Sequence, residues 1–104
     1  MAFKIIWARQ AREDLRDIVT FIALDNPIAA ETFGYLLMTK VDALASFPRL
    51  GRIVPEENDE DIREIIFRSY RIVYLVMEKQ QVVAIMRVWH GARGEPVIPE
   101  RMDF

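Results

Sequence analysis

Arg63-Glu64-Ile65-Ile66-Phe67-Arg68-Ser69-Tyr70-Arg71-Ile72-Val73-Tyr74-Leu75-Val76-Met77, a polar break at Glu78–Gln81, and Val82-Val83-Ala84-Ile85-Met86-Arg87-Val88-Trp89-His90-Gly91-Ala92-Arg93 decide the fold. Three runs rich in β-branched and aromatic residues are separated by short polar breaks. That is the pattern of successive antiparallel strands, near Ile62–Phe67, Tyr70–Met77 and Val82–His90. The runs are too apolar for a sheet with one wet face. Yet arginines recur in them, and the chain's only histidine closes the last.

Upstream, Phe3–Trp7 is a short apolar segment that reads as a strand joining this sheet. Ala11, Leu15, Ile18 and Ile22 are then spaced four, three and four, with Val19 beside them, which is one helical stripe over Ala8–Leu24. Arg9, Arg12, Glu13, Arg16 and Asp17 take the opposite face. The helix start offers no Ser, Thr, Asp or Asn side chain, which forgoes about 1 kcal/mol of capping. Asp25-Asn26-Pro27 breaks this helix and opens another, with Asn26 as N-cap and Pro27 at the first helical position. Ala30, Phe33, Leu37, Val41 and Leu44 form the second stripe, over Ile28–Ser46. Gly34 sits mid-helix at a cost of about 1 kcal/mol relative to alanine, for which close approach of another backbone is one reason. Two amphipathic helices joined by a short turn form an antiparallel hairpin that must also lie on the sheet. The reading is therefore α+β, in the order β-α-α-β-β-β, a helical hairpin on a mainly antiparallel four-stranded sheet.

Phe47–Arg52, with Pro48 and Gly51, reads as a turn. Glu56-Glu57-Asn58-Asp59-Glu60-Asp61 places five acids in six residues, expected to form a solvated, mobile loop. The tail from Gly94 carries Pro96 and Pro99, lacks periodicity, and is expected to pack through Val97, Ile98 and Phe104.

A length of 104 residues makes one domain, and 52% hydrophobic with 29% charged residues is a globular composition. The absence of cysteine excludes a disulfide framework, a thiolate zinc site and a cysteine nucleophile. With one histidine, no metal site and no cofactor are expected. No apolar run reaches signal-peptide or membrane-spanning length, which favours a cytoplasmic, non-membrane protein. A net charge of −2 argues against a broad nucleic-acid-binding surface.

Strict strand alternation puts Tyr70, Ile72, Tyr74 and Val76 on one face and Arg71, Val73, Leu75 and Met77 on the other. It groups His90 with Val88, Met86, Ala84 and Val82, and Arg87 with Trp89, Ile85 and Val83. An unpaired arginine does not enter a core, so Arg71 or Arg87 needs a strand end, the open face or a salt bridge, with Glu64 as the obvious partner. Two readings of the last strand compete. His90 and Arg93, with Arg71 across the sheet, could meet a phosphate, with histidine as general acid and the arginines neutralising the charge of RNA cleavage. Alternatively, His90 is hydrogen-bonded to the turn and organises the tail. No Gly-rich phosphate loop or serine triad is present. Trp7, Trp89 and Tyr74 read as core.

In this order the chain resembles the RelE/ParE superfamily of bacterial type II toxins, also called plasmid stabilisation proteins, and most closely its ParE-like branch. The resemblance runs from the strand ending in Trp7 through Ala11, Asp14, Leu15 and Ile18, Ile22-Ala23, Asp25-Asn26-Pro27 and Ala29-Ala30. It continues through Leu44, Phe47-Pro48 and the structural motif Gly51-Arg52, Arg63-Glu64 and Tyr70-Arg71-Ile72-Val73-Tyr74, to His90-Gly91-Ala92-Arg93. Ala8-Arg9, where the family often has a cap and a proline, and the charged Glu56–Asp61 loop depart from it. The resemblance implies a toxin neutralised in a hetero-oligomer by a small antitoxin, usually of the ribbon-helix-helix type. An amphipathic helix of that partner would lie along Ile18, Ile22, Phe33, Leu37 and Val41. ParE-like members poison DNA gyrase and have no established catalytic residues. RelE-like members cut mRNA on the ribosome with basic residues, for which Arg63, Arg71, His90 and Arg93 are the candidates here. A binding module without toxicity is a third possibility. The acidic total, the scarcity of lysine and Glu64 beside Arg63 favour the gyrase reading.

Overall fold

Asn26 sets the helical layer. In the computed structural model, which describes residues 2–99, α1 (Arg9–Asp25) and α2 (Pro27–Asp42) are separated by this one residue. Its side-chain oxygen accepts the Ala29 N–H at 3.0 Å, and its own N–H donates to the Ile22 carbonyl, so one residue closes one helix and caps the next. The connection is thus tighter than the three-residue break read from Asp25-Asn26-Pro27. The start of α1 is uncapped by any side chain, as expected. The second helix ends at Asp42, and the chain runs on in a 3-10 turn, Ala43–Ala45, where the periodicity had suggested continuous helix.

The strands are β1 (Lys4–Trp7), β2 (Arg52–Ile53), β3 (Ile62–Phe67), β4 (Tyr70–Met77) and β5 (Val82–His90). They lie in the order β1-β5-β4-β3-β2. β1 runs parallel to β5, Lys4 opposite Val82 and Trp7 opposite Ile85, while the other pairings are antiparallel. The sheet therefore has five strands rather than four. The added strand is two residues long and pairs Arg52 with Glu64 and Ile53 with Arg63, too short to carry any periodicity in sequence. The β3–β4 hairpin turns on Arg68-Ser69, with Arg68 at φ 53°, and Gln81 takes φ 54° at the β4–β5 tip.

The helices cover one face. Phe33, Leu37, Val41 and Leu44 pack with Ile72, Tyr74, Val76, Val83, Ile85 and Val88, and Ile18 and Ile22 lie half-buried at the margin. Fully burying a side chain of this size stabilises by roughly 1.5–3 kcal/mol, so this layer supplies most of the fold's apolar stabilisation. The opposite face carries a second, smaller core of Ala8, Val54, Val73, Leu75, Ala84 and Met86, against which Ile98 of the tail packs. Val97 is exposed, and Phe104 lies outside the described residues. Gly34 meets no other backbone. A Cβ placed there would touch only Val19 Cγ2, at 4.0 Å.

A β-bulge corrects the alternation on β5. Tyr74 pairs with Ile85 and Val73 with Arg87, so Met86 has no partner of its own. Before the bulge, Val83 and Ile85 face the helices. After it, Val88 does, while Ala84 and Met86 belong to the second core. His90 thus shares its face with Val88 but not with Met86 or Ala84, and Arg87 and Trp89 part from Ile85 and Val83.

Candidate functional site

Two charged clusters and one apolar cleft are formed by the residues that the sequence singles out. The first cluster centres on Glu64. The ladder sets Arg52 opposite Glu64, and Ile66 opposite Arg71, so Arg52, Glu64 and Arg71 project from the face away from the helices. The Glu64 side chain is wholly buried. Its Oε2 accepts from Arg52 Nε at 2.7 Å, and its Oε1 from Arg71 Nε at 2.6 Å. The two remaining Arg71 nitrogens form a fork on Glu56, at 3.0 and 2.7 Å. Hydrogen bonding from Arg71 holds the Glu56 carboxyl below the usual carboxylate range, and the same fork raises the Arg71 pKa further. The acidic loop is therefore latched to the sheet, not freely solvated. At its far end Arg49 bonds to Asp61 at 3.0 Å and to Glu78 at 3.2 Å.

Gly51 and Tyr74 extend this network inward. The Gly51 N–H donates to the buried Tyr74 hydroxyl at 2.8 Å, and Arg63 Nη1 donates to the Gly51 carbonyl at 3.0 Å. A Cβ at residue 51 would stand 2.4 Å from the Glu64 carbonyl oxygen, which is why glycine is required there. Burial pushes the Tyr74 hydroxyl pKa up, keeping it neutral. Arg63 thus braces the β2 turn and the Glu60 carbonyl, at 2.9 Å, with its own donors.

The second cluster lies at the other end of β4 and β5. Tyr70 and His90 pair across the strands with rings edge-to-face, centroids 5.1 Å apart. His90 Nδ1 accepts the Ala92 N–H at 3.0 Å and so closes the turn Gly91–Arg93, the organising role that one sequence reading gave it. Arg93 lies 3.9 Å from the Trp89 ring centroid, and Arg87 lies 4.7 Å from it. Tyr70, His90 and Arg93 line a cleft of about 210 Å³ together with Asp14 and Asp17 of α1. Arg71 is absent from that cleft. It projects from the other face of β4, so the three residues of the nuclease reading do not converge.

Asp14 and Glu56 are the residues to which the sequence reading assigned no partner. Asp14 bonds Arg87 through both oxygens, at 2.8 and 2.9 Å, and accepts the Val88 N–H at 3.0 Å. Its signal was available, since residue 14 falls between Ala11 and Ile18 on the apolar stripe, where a lone carboxylate calls for a buried partner. Glu56 carried no such signal, being one acid in a run.

Phe33, Leu37 and Val41 are at most 2% exposed, sealed between α2 and the sheet. Of the residues expected along an antitoxin seat, these three lie in the packed core, while Ile18 and Ile22 lie half-buried at its margin. Accessible apolar surface also lies beside α2. A cleft of about 500 Å³ runs between Thr39, Lys40 and Ala43 of the helical layer and Leu50, Gly51, Arg52, Ile65 and Ile66. β2 pairs only with Arg63 and Glu64, which leaves the edge of β3 beyond Glu64 without a strand, and Ile66 there is 52% exposed. Among the described residues no group of histidine, cysteine and acidic side chains could hold a metal ion, and no helix is long and apolar enough to cross a membrane.

The helical hairpin on one face of a mixed five-stranded sheet is a fold shared with solved ParE and RelE toxin structures. The family described as the ParE toxin of the type II toxin-antitoxin system parDE matches residues 5–94. The Toxin RelE2 of Caulobacter vibrioides is 32% identical over 91 residues, covering 86% of this chain and 97% of that protein. Among solved structures, the chromosomal ParDE system from P. aeruginosa superposes with a TM-score of 0.69 at 18% identity, over 86% of this chain and 96% of that one. The toxin-antitoxin complex RelBE2 from Mycobacterium tuberculosis gives 0.62 at 20% identity, over 86% and 99%. The chain belongs to the ParE toxin family, within the RelE/ParE superfamily of type II toxin-antitoxin toxins.

Proposed function

We propose that the protein is a ParE-like toxin that inhibits DNA gyrase and is neutralised by a small antitoxin in a hetero-oligomer. The observation that carries this reading is the engagement of Arg71. Its donors are spent on Glu56 and Glu64, on the face away from His90, so no cationic seat for a scissile phosphate is assembled with the histidine. The family match to ParE points the same way. Arg63 is likewise taken up by backbone carbonyls, which supports a scaffolding role. Arg93 is exposed and has no carboxylate partner among the described residues, and it is the residue we assign to target contact. The antitoxin's apolar segment takes the cleft along α2 and the free edge of β3, where chain already extended can add backbone hydrogen bonds. That such a partner exists is supported by the similar structures, the ParDE system from P. aeruginosa and the RelBE2 toxin-antitoxin complex from Mycobacterium tuberculosis. A supercoiling assay with purified gyrase tests the reading. Inhibition relieved by antitoxin is expected, and undiminished supercoiling at a molar excess of toxin would refute it.

A second reading, ribosome-dependent mRNA cleavage, is favoured by one observation: His90 and Arg93 line a common cleft, and the relative at 32% identity is a RelE toxin. It requires mRNA cleavage in a translating extract that disappears with His90→Ala.

A further inference from the structure

We infer that Arg68, at the turn from β3 into β4, is a second contact for the target, and that what it meets is a carboxylate-bearing protein surface. This deepens the target contact assigned to Arg93 and rests on that reading. The arginines of the sheet divide by what holds them. Arg52, Arg63, Arg71 and Arg87 spend donors on carboxylates and backbone carbonyls. Arg68 and Arg93 are exposed and are held by ring faces instead. The Arg68 guanidinium lies 5.2 Å from the Phe67 ring centroid and 5.7 Å from that of Phe33, and Arg93 lies over Trp89. Among the described residues neither has a carboxylate or carbonyl partner. A guanidinium held through a ring contact keeps its N–H donors for something outside the chain.

Arg68 also occupies a costly backbone position. It takes φ 53° at the first of the two residues that join β3 to β4, where glycine sits without strain and a long side chain does not. Backbone outliers of this kind gather at binding surfaces. The two arginines belong to one rim. The Ser69 carbonyl, next to Arg68, accepts the Gly91 N–H at 2.8 Å, and Tyr70 stands opposite His90. The β3–β4 turn and the Gly91–Arg93 turn are thereby joined, with the Tyr70–His90 ring pair beside them. The surroundings select the partner. A guanidinium forks onto carboxylates and phosphates alike. Asp14 and Asp17 line the cleft that holds His90 and Arg93, and the chain carries a net charge of −2. Both disfavour the continuous phosphate track of a nucleic acid and leave separate carboxylates on a protein as the match.

The test compares wild type with Arg68→Gly, which adopts the same turn without the side chain. Arg68→Asn, which also tolerates the left-handed backbone, repeats the measurement should the glycine variant be unstable. Three quantities are read on the full chain: melting temperature, affinity for purified gyrase free of DNA, and growth arrest on induction in a bacterial host. The variants should melt close to wild type, bind gyrase about tenfold more weakly, and arrest growth less at equal protein level. Undiminished gyrase affinity in a folded variant overturns the inference. So does a loss of affinity that appears only when DNA is present, because the contact would then lie on phosphates. A wild type that arrests growth without binding gyrase sinks the gyrase reading alone. Weaker arrest by the variants then supports the Arg68 contact, and equal arrest overturns it. A wild type that does neither overturns both.

Discussion

Asp14 Oδ2 lies 3.0 Å from the backbone nitrogen of Val88, at the edge of β5 that β1 does not reach. β1 ends opposite Ile85, and the Ala8 N–H makes the last backbone bond to that edge, on the Ile85 carbonyl. From there a helix side chain takes over from a strand, and the same carboxylate neutralises Arg87 in a place where both side chains are 9% exposed. Asp14→Ala leaves a buried guanidinium and a buried N–H unpaired, at a cost of about 3–5 kcal/mol. The exposed neighbour Glu13→Ala should stay within about 0.5 kcal/mol of wild type. Urea denaturation of the two variants side by side measures the difference.

Tyr74→Phe keeps the ring packing but removes the oxygen that receives the Gly51 N–H. The loss of an acceptor for a buried donor is expected to cost about 1–2 kcal/mol. Gly51→Ala should cost more, since its Cβ would press on the backbone of Glu64 and not on a side chain that can turn aside. Thermal unfolding of both variants gives the order.

Gly34→Ala should raise stability by about 0.5–1 kcal/mol. The helix loses its interior glycine, and the new methyl meets Val19 at ordinary van der Waals distance. A lower melting temperature would show that the α1–α2 contact is tighter than its geometry indicates.

The Glu56 latch sets a pH dependence. Its carboxyl has a folded pKa below the ordinary value of 4.5, chiefly through the Arg71 hydrogen bonds. The stabilisation is therefore fully present above pH 4.5 and is lost as pH falls through the folded value. Stability profiles of wild type and Glu56→Gln should run apart at neutral pH and converge in the acid range. Profiles that stay parallel throughout would show that the latch does not form in solution.

Ile66→Arg puts a charge on the free edge of β3 without disturbing either core, since Ile66 is half exposed. The variant should fold normally and bind antitoxin more than about tenfold more weakly, the effect of losing one anchor contact. Isothermal titration with the purified antitoxin reports this. An unchanged affinity would move the antitoxin's seat elsewhere on the surface.

The longer strands and the helical hairpin were legible because each is long enough to show its period. Residues 62–67, 70–77 and 82–90 fall where the β-branched runs lie, and Asn26-Pro27 carries its capping chemistry openly. β2 was not legible, because two residues have no period and its pairing depends on a neighbour brought close by the Gly51 turn. The networks were half legible. Glu64 was the evident partner for Arg71, but the partner of Arg87 is 73 residues away on α1, a distance that no local spacing encodes. The helical stripes revealed which residues are apolar without distinguishing those that face the sheet from those left for a partner. Of the five residues expected along a partner's seat, Phe33, Leu37 and Val41 pack in the hairpin's own core, whereas Ile18 and Ile22 lie half-buried at its margin.

The unpaired Met86 fixes the counting frame of the last strand. On either side of it the inside–outside alternation is out of phase by one residue, and each half is correct for its own surroundings. Removing Met86 itself would leave Val73 opposite Arg87, Ile72 opposite Val88 and Tyr70 opposite His90, the pairs present now. Removing a residue between Arg87 and His90 would instead exchange the sides of the residues beyond the gap, sending the histidine or the tryptophan to the wrong layer. A single-residue deletion scan along β5 should therefore find its tolerated position at 86, and lineages that differ in the length of this strand should differ there.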